Sequence, residues 1–410
     1  MDGHRGGLLS LGRGGDTADL REHNLGLVLR YLRDNGPSSR AQIAAASKLG
    51  LSTLTGMIGE LKALDLVSEG LAESQARLGR PTHAVSLSGE RWVVAGLRLD
   101  VDGIQAKTAT VGGQHLGHYV DRLLLHGSDA TLASSAIESA VKWIIESVDK
   151  ARTLAAIEIA VPGSVSPGGG AMTRSESLGW AQSELLAPVK AIVESFGLSG
   201  VTVGLASDSS LSVLGLVRGE LSEAAATSTV AYFGGDRALV GDVVIRGEPF
   251  RGAGPGAADF SRIPVALGDG RRETLGTAVG LDILLSAAGV LSPEAAALSV
   301  GAAPRDAVAS LADALRDGQP VALAAVDDAS DALASAAECV VAVLGVDVIV
   351  LDGYLGALGE WLVPRLDARL SDHSVGARLV ALAPSPSRAV DGAVAAARDA
   401  CLSRPTRIRA

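Results

Sequence analysis

The sequence predicts an α/β protein in two parts, a winged helix-turn-helix head followed by a two-lobed body. Three observations carry this expectation. Between Arg40 and Leu61, a short helical stretch, a turn containing Gly and a second helical stretch that opens on hydroxyl residues follow one another. Beyond them, two strand-like stretches bracket the tip Arg77-Leu-Gly-Arg80-Pro81. From Trp92 onward, strand-like and helix-like segments alternate to the end of the chain, the pattern that builds layered α/β lobes.

A chain of 410 residues is long enough for more than one domain and a large core. Aromatic residues make up only 3% of it, so Ala, Val, Leu and Ile must build that core. The net charge of −10 argues against whole-molecule attraction to nucleic acid. Its distribution is uneven, however. Asn24 to Pro81 holds seven Lys or Arg against five Asp or Glu, which leaves the excess acid in the rest of the chain. An acidic bulk with a mildly basic head suits a selective reader of duplex DNA. Cys339 and Cys401 stand far apart, so neither a zinc motif nor a disulfide framework is legible, and a reducing cytoplasm is expected. No apolar run of bilayer length occurs and the start is unlike a signal peptide, so no membrane partner is expected. Residues 1–20, rich in Gly, Arg and Asp, read as a flexible arm.

The head is placed at residues 21–90. Leu25, Val28, Leu29 and Leu32 recur on one face of a first helix, which Asn35-Gly36-Pro37 stops. Ser39 followed by Gln42 is a capping-box pattern for the second helix. Ser52 is expected to cap the third, with Leu54, Ile58 and Leu61 turned inward. Thr53, Thr55 and Gly56 then face outward near the N-terminus of that helix, where a recognition helix meets base edges. Leu66 to Gly70 and Val85 to Leu87 form a hairpin. Arg77 and Arg80 at its tip suit a narrow minor groove. Ser39, Arg40, Ser52, Thr53, Thr55, Gly56, Arg77 and Arg80 are therefore the candidate contacts to a double-stranded DNA operator. The same three helices would also serve a head that contacts only proteins.

The body is read as a first lobe at 91–224, a second at 225–388 and a terminal helix in 389–410 that packs back on it. Val93–Leu99, Ala155–Val161 and Val201–Leu205 are strands, and Ser134 to about Ala151 is an amphipathic helix. Thr229–Phe233, Leu239–Ile245, Val346–Leu351 and Arg378–Leu382 are the strands of the second set, and Ala389 to Leu402 is the last helix.

The order of motifs resembles a known family. A winged helix with a Gly-Arg-Pro tip precedes Val161-Pro162-Gly163, Leu178-Gly179-Trp180 and Ser207-Asp208. Arg251-Gly252, Pro264-Val265, Val348 to Gly353 and Asp391-Gly392-Ala393 follow. This is similar to the ROK family of repressors and sugar kinases, and it implies an actin-like ATPase fold over nearly the whole chain. The resemblance also implies what has been lost. ROK kinases hold phosphates with an Asp-x-Gly-Gly-Thr loop and a Gly-rich second turn. Here the matching stretches are Leu99-Asp-Val-Asp-Gly103 and Gly234-Gly-Asp-Arg-Ala-Leu239, so ATP binding is not expected. The family's Asn-Asp pair is Ser207-Asp208. Its Gly-Glu-Ile-Gly-His motif aligns with Ala258-Asp259-Phe260-Ser261-Arg262. Its cysteine cluster and sugar-binding Glu align with Arg271 to Thr277, where no cysteine remains and Gly276 takes the Glu position. No cofactor and no zinc are therefore expected. Asp208 is also readable as a plain helix cap, and Asp259 and Arg262 as either a salt bridge or an anion-favouring pocket.

These readings converge on a DNA-binding regulator, a repressor in its leading form, built on a homodimer or homotetramer. Its degenerate body would take a sugar-like or acidic effector, with Ser177, Ser207, Asp208, Asp259 and Arg262 as candidate contacts. A sugar kinase with an accessory head and a protein-binding scaffold are the alternatives.

Overall fold

A computed structural model of the protein describes residues 17–71, 83–125, 127, 130–166, 170–175, 178–180, 183–250, 258–268, 270–291, 304–372, 376–385 and 387–408. Helix α1 (Thr17–Asn35) opens the head and buries Leu25, Val28, Leu29 and Leu32. It begins inside the segment read as a flexible arm, with Thr17 at its start and Asp19 in its first turn, where an acid favours the helix dipole. Strand β1 (Ser38–Ser39) leads into α2 (Arg40–Ser47). Ser39 and Gln42 form the expected capping box, side chain to backbone in both directions. Helix α3 (Leu51–Ala63) buries Leu54, Ile58 and Leu61 as expected, and Met57 with them. Strands β2 (Val67–Leu71) and β3 (His83–Leu87) pair antiparallel as the wing, and β1 joins β3 to give the order β1-β3-β2.

The first lobe holds a five-stranded sheet of β4 (Trp92–Asp100), β5 (Gly103–Thr110), β6 (His115–Asp121), β7 (Thr153–Val161) and β10 (Thr202–Ser207), in the order β10-β7-β4-β5-β6. Short strands β8 (Ser164–Val165) and β9 (Met172–Arg174) pair beside it. Strands β5 and β6 had no counterpart in the sequence reading. Polar residues interrupt them, and β6 is an edge strand with mixed exposure. One face of the sheet is covered by α4 (Ala130–Glu146) and α5 (Leu186–Ser195), with Ile137, Val141 and Ile144 in the shared core. Helix α4 lies a few residues earlier than expected. Beyond it, Ser147 Oγ donates to the Ile144 carbonyl and Asp149 accepts from the Ala151 N–H, which draws the chain out of helix.

Helices α6 (Asp208–Arg218) and α7 (Ser222–Thr227) lead to the second sheet. Its strands are β11 (Thr229–Gly234), β12 (Val240–Ile245), β13 (Glu248–Pro249), β16 (Val348–Leu351) and β17 (Arg378–Ala381), ordered β13-β12-β11-β16-β17. The small hairpin of β14 (Pro264–Ala266) and β15 (Arg272–Thr274) stands apart. Helices α8 (Leu275–Val279), α9 (Leu281–Ala287), α10 (Pro304–Arg316), α11 (Pro320–Leu344), α12 (Gly353–Ala357) and α13 (Gly359–Asp372) complete the lobe and supply its largest apolar core. Among the described residues, no helix is long and apolar enough to cross a membrane.

The last helix, α14 (Arg388–Ser403), packs on the body, and its place is central. With α6 it forms a helical layer between the two sheets, where Leu211, Leu214, Ala389 and Ala393 meet Tyr232, Val244 and Val350. Glycines let the backbones touch. A Cβ on Gly392 would sit 1.6 Å from the Leu211 carbonyl oxygen, and one on Gly96 of β4 would sit 2.6 Å from that of Val390. The far end of α14 seats the head. Gly26 of α1 faces the Leu402 carbonyl, and Trp92 Nε1 donates to the Leu64 carbonyl at 2.7 Å. Head and body thus share one apolar cluster that runs from Leu25 to Leu402.

Candidate nucleic-acid interface and interlobe site

The turn between α2 and α3 is built differently from its sequence reading. Gly50, extended at φ −65° and ψ 143°, is the N-cap of α3 and brings no side-chain hydrogen bond. Ser52 is therefore not the cap: the helix already begins at Leu51, so Ser52 sits inside its first turn. The left-handed residue of the turn is Lys48, at φ 56° and ψ 24°.

Ser52, Thr53, Thr55 and Gly56 are all exposed on α3. Their hydroxyls are not equivalent. Thr55 Oγ1 donates back to the Leu51 carbonyl at 2.8 Å and accepts from Arg40 at 3.4 Å, so its bonding capacity is largely used. Ser52 and Thr53 have no hydrogen-bond partner among the described residues, which leaves them available to a ligand. Together with Thr17, Leu20, Arg21 and Asn24 of α1, they line an open groove beside α3.

Ser39 spends its hydroxyl in the capping box. Arg40 is held by Glu69 of β2 at 2.6 Å, and Lys62 binds the same carboxylate at 3.1 Å. Burial alone would raise the Glu69 pKa, but hydrogen bonds from Arg40 and Lys62 outweigh it and hold the carboxyl below its ordinary range. Glu69 thus partly neutralises Arg40. Arg77 and Arg80 lie outside the described residues.

A second cluster joins the lobes. Arg98, on otherwise apolar β4, is 5% exposed and reaches three carboxylates: Asp236 at 2.7 Å, Asp100 at 2.8 Å and Asp208 at 4.0 Å. Asp100 ends β4, Asp208 opens α6 just beyond β10, and Asp236 sits on the turn after β11 in the second lobe. The cluster therefore stands at the carboxyl ends of β4, β10 and β11, where α/β sheets bind ligands. Burial disfavours charge on Arg98, but the carboxylates of Asp100, Asp236 and Asp208 overcome it and keep the guanidinium charged. Burial pushes the Asp208 carboxyl up to about 7; Arg98 opposes this, while Asp100 and Asp236 add to it. Three carboxylates around one cation leave a surplus of negative charge, and burial together with this surplus raises both Asp208 and Asp100.

The turns on either side are closed. Asp100 and Gly103 pair directly across a two-residue turn, and a Cβ on Gly103 would meet the Asp121 carbonyl oxygen at 2.0 Å. Gly103 therefore serves the approach of β6. In the second lobe the Gly235 carbonyl accepts from the Tyr354 N–H and lies where a Cβ on Gly353 would fall.

Of the candidate effector residues, Ser207 caps α6 through the Ser210 N–H, so the capping role weighed for Asp208 belongs to its neighbour. Asp208 joins the Arg98 cluster. Asp259 caps a single 3-10 turn by accepting from the Ser261 N–H and hydroxyl, and no Asp259–Arg262 ion pair forms among the described residues. The short Asp side chain is spent on its local turn. Ala258 is left-handed at φ 64°, a conformation natural to the Gly that the ROK alignment places there. Ser177 lies outside the described residues. The sequence reading missed Arg98, Asp100 and Asp236, although an Arg inside the apolar run Val93–Leu99 is itself a signal, because a buried charge demands a partner.

A third cluster ties the head to both lobes. Arg33 of α1 bonds Asp399 of α14 and lies 3.5 Å from Glu248 of β13. Arg218 of α6 reaches the same two carboxylates, at 3.1 Å and 3.0 Å.

No protein-family model matches the chain, and no curated protein is significantly similar to it. Solved structures are similar in fold. A ROK family transcriptional regulator, a homologue of the E. coli Mlc protein, superposes with a TM-score of 0.73 at 16% identity, over 95% of this chain and 99% of that chain. A ROK glucokinase from Streptomyces griseus, in complex with glucose and AMPPNP, gives 0.54 at 19% identity, over 75% of this chain and 99% of its own. A ROK hexokinase from Thermus thermophilus gives 0.54 at 17% identity, over 74% and 97%. A match over 95% of the chain must take in most of the head, whereas one over 75% can leave it out. The body has the actin-like fold of ROK proteins, and the whole chain follows the plan of the regulator.

Proposed function

We propose that this protein is a sequence-specific DNA-binding transcriptional regulator, a repressor, whose body is a non-catalytic sensor and dimerisation unit working in the cytoplasm. The observation that carries the reading is the correspondence with a regulator over head and body together. The exposed first turns of α3, with the hydroxyls of Ser52 and Thr53 unengaged, support major-groove contact. A two-fold dimer would present two such helices to a palindromic operator about one helical turn between half-site centres.

The interlobe site supports loss of catalysis. Where a kinase would cradle phosphate on bare backbone, this chain has a two-residue turn at Val101-Asp102 and an Arg98–Asp236 bridge ringed by further carboxylates. Acidic side chains at that place repel a triphosphate. The residues also do not fit a ROK zinc: Arg262 cannot serve as a ligand, Arg271–Thr277 offers no Cys or His, and Cys339 and Cys401 lie on α11 and α14. An effector is best sought at the Arg98 cluster, where a polyhydroxyl or acidic ligand could compete for the guanidinium and so change the angle between lobes, provided it prefers one state.

The test is duplex selection from a random pool, followed by footprinting on the DNA upstream of the protein's own gene. Arg80→Ala and Thr53→Ala, both folded, should weaken binding, and only Thr53→Ala should alter base preference. A wild-type protein that binds no duplex at about 50 mM salt, where phosphate contacts are strongest, overturns the reading. The kinase alternative draws on retained Asp208 and on the kinase neighbours. Turnover of ATP with any sugar, abolished in Asp208→Asn, would establish it.

A further inference from the structure

Among the described residues, most cations in and beside the head are neutralised by nearby carboxylates. Arg21 pairs with Glu60 at 2.8 Å, Arg40 and Lys62 share Glu69, Arg91 pairs with Asp65 at 3.4 Å, and Arg33 pairs with Asp34 at 2.7 Å and with Asp399. Arg30 is turned toward α14, where it donates to Ser403 Oγ. Lys48 differs from the paired cations and, unlike Arg30, makes no side-chain hydrogen bond among the described residues. It is exposed, and no carboxylate among the described residues lies within ion-pair distance of it.

Lys48 is also strained by the fold, as is Asp65 just past the end of α3, at φ 56°. Lys48 ends α2 in the left-handed conformation, φ 56° and ψ 24°, where Gly or Asn is the usual choice and other L-residues crowd Cβ against the backbone. The strain falls in the turn that feeds α3, three residues before its first helical residue and close to exposed Ser52 and Thr53. Gly would relieve the backbone but carry no charge. An exposed cation kept without a partner, at a strained position beside the recognition helix, has a use that its paired neighbours do not.

We infer that Lys48 is a phosphate-binding residue of the head, clamping the DNA backbone at the edge of the groove that α3 enters. The inference rests on the DNA-binding reading of the head and adds to it the residue that fixes how the head sits. A contact of this kind positions the helix without reading sequence. Each phosphate neutralised by a free cation releases its condensed counterion, which sets the salt dependence of binding. Arg40 contributes less, because Glu69 already neutralises part of its charge.

The experiment compares the full-length wild type with Lys48→Gly and Lys48→Arg, measuring DNA affinity across a salt series and the unfolding equilibrium of each protein. Lys48→Gly should shift the folded-to-unfolded ratio in favour of the folded state about two- to fivefold by relieving the left-handed strain. The same variant should lose affinity equally for all sequences, with a log–log salt slope shallower by about 0.9 per head. Lys48→Arg should keep the wild-type slope. A Lys48→Gly protein that keeps the wild-type slope overturns the assignment and leaves the DNA-binding reading standing. That result would also fit a Lys48 turned toward an acidic protein surface. A wild type that binds no duplex sinks both.

Discussion

Replacing Asp208 with Asn should remove a pH dependence that the Arg98 cluster builds into the body. Asp100, Asp208 and Asp236 surround one guanidinium, and burial raises the Asp208 pKa from 3.8 to about 7. The folded state therefore holds this proton more tightly than the unfolded chain. The stabilisation is complete below a pH of about 4 and is lost as the pH rises through about 7. Between pH 5 and pH 8 a shift of this size is worth about 2–3 kcal/mol, at about 1.4 kcal/mol for each pKa unit. Asn keeps the shape of the side chain and removes the titration. Wild type and Asp208→Asn should then be close in stability only at about pH 4 and below, and diverge as the pH rises from 5 to 8, with the variant the more stable. Urea unfolding at fixed pH values, extrapolated to water, measures the difference. Parallel stability curves for the two proteins across pH 5–8 would refute the charge count at this site.

Asp399→Ala should strip a shared carboxylate from Arg33 and Arg218. Arg33 is 5% exposed and would keep only Asp34 and the outlying Glu248. A cost of about 3 kcal/mol is expected, visible as a lower urea midpoint together with faster proteolysis between head and body. Gly392→Ala should prevent α14 from seating on α6, because the new Cβ would overlap the Leu211 carbonyl oxygen. A loss of more than about 3 kcal/mol, or failure to yield soluble protein, is the expected result on expression and melting. Ala258→Gly should stabilise the second lobe by about 0.5–1 kcal/mol by relieving its left-handed backbone, as thermal denaturation will report.

The head was legible in detail because its signals are local. The four apolar residues of α1 recur at helical spacing, and Ser39 and Gln42 satisfy each other within one turn. The cap of α3 is Gly50 rather than Ser52, because a glycine cap carries no side-chain signal and only the backbone path sets where the helix begins. Strands β4, β7, β10, β11, β12, β16 and β17 were visible as apolar runs, since buried strands need no alternation. Strands β5 and β6 escaped, because Gln105, Lys107 and Thr108 interrupt the apolar run of buried β5 and the edge strand β6 has mixed exposure. The interlobe site was half visible: Asp208 was found through a motif, while Arg98 and Asp236 were not, being 138 residues apart in the chain.

The order of segments and the head's helical faces were fixed by residue type and spacing, because each depends on neighbours within a turn or a strand, while the missing phosphate glycines were what the family resemblance implied. Three things needed the folded chain. These are the use of Glu69 to quiet Arg40, the seat of α14 between two sheets, and the ring of carboxylates on Arg98. Each depends on groups that meet only after distant backbone segments have packed, and a linear pattern does not record which charge ends up beside which.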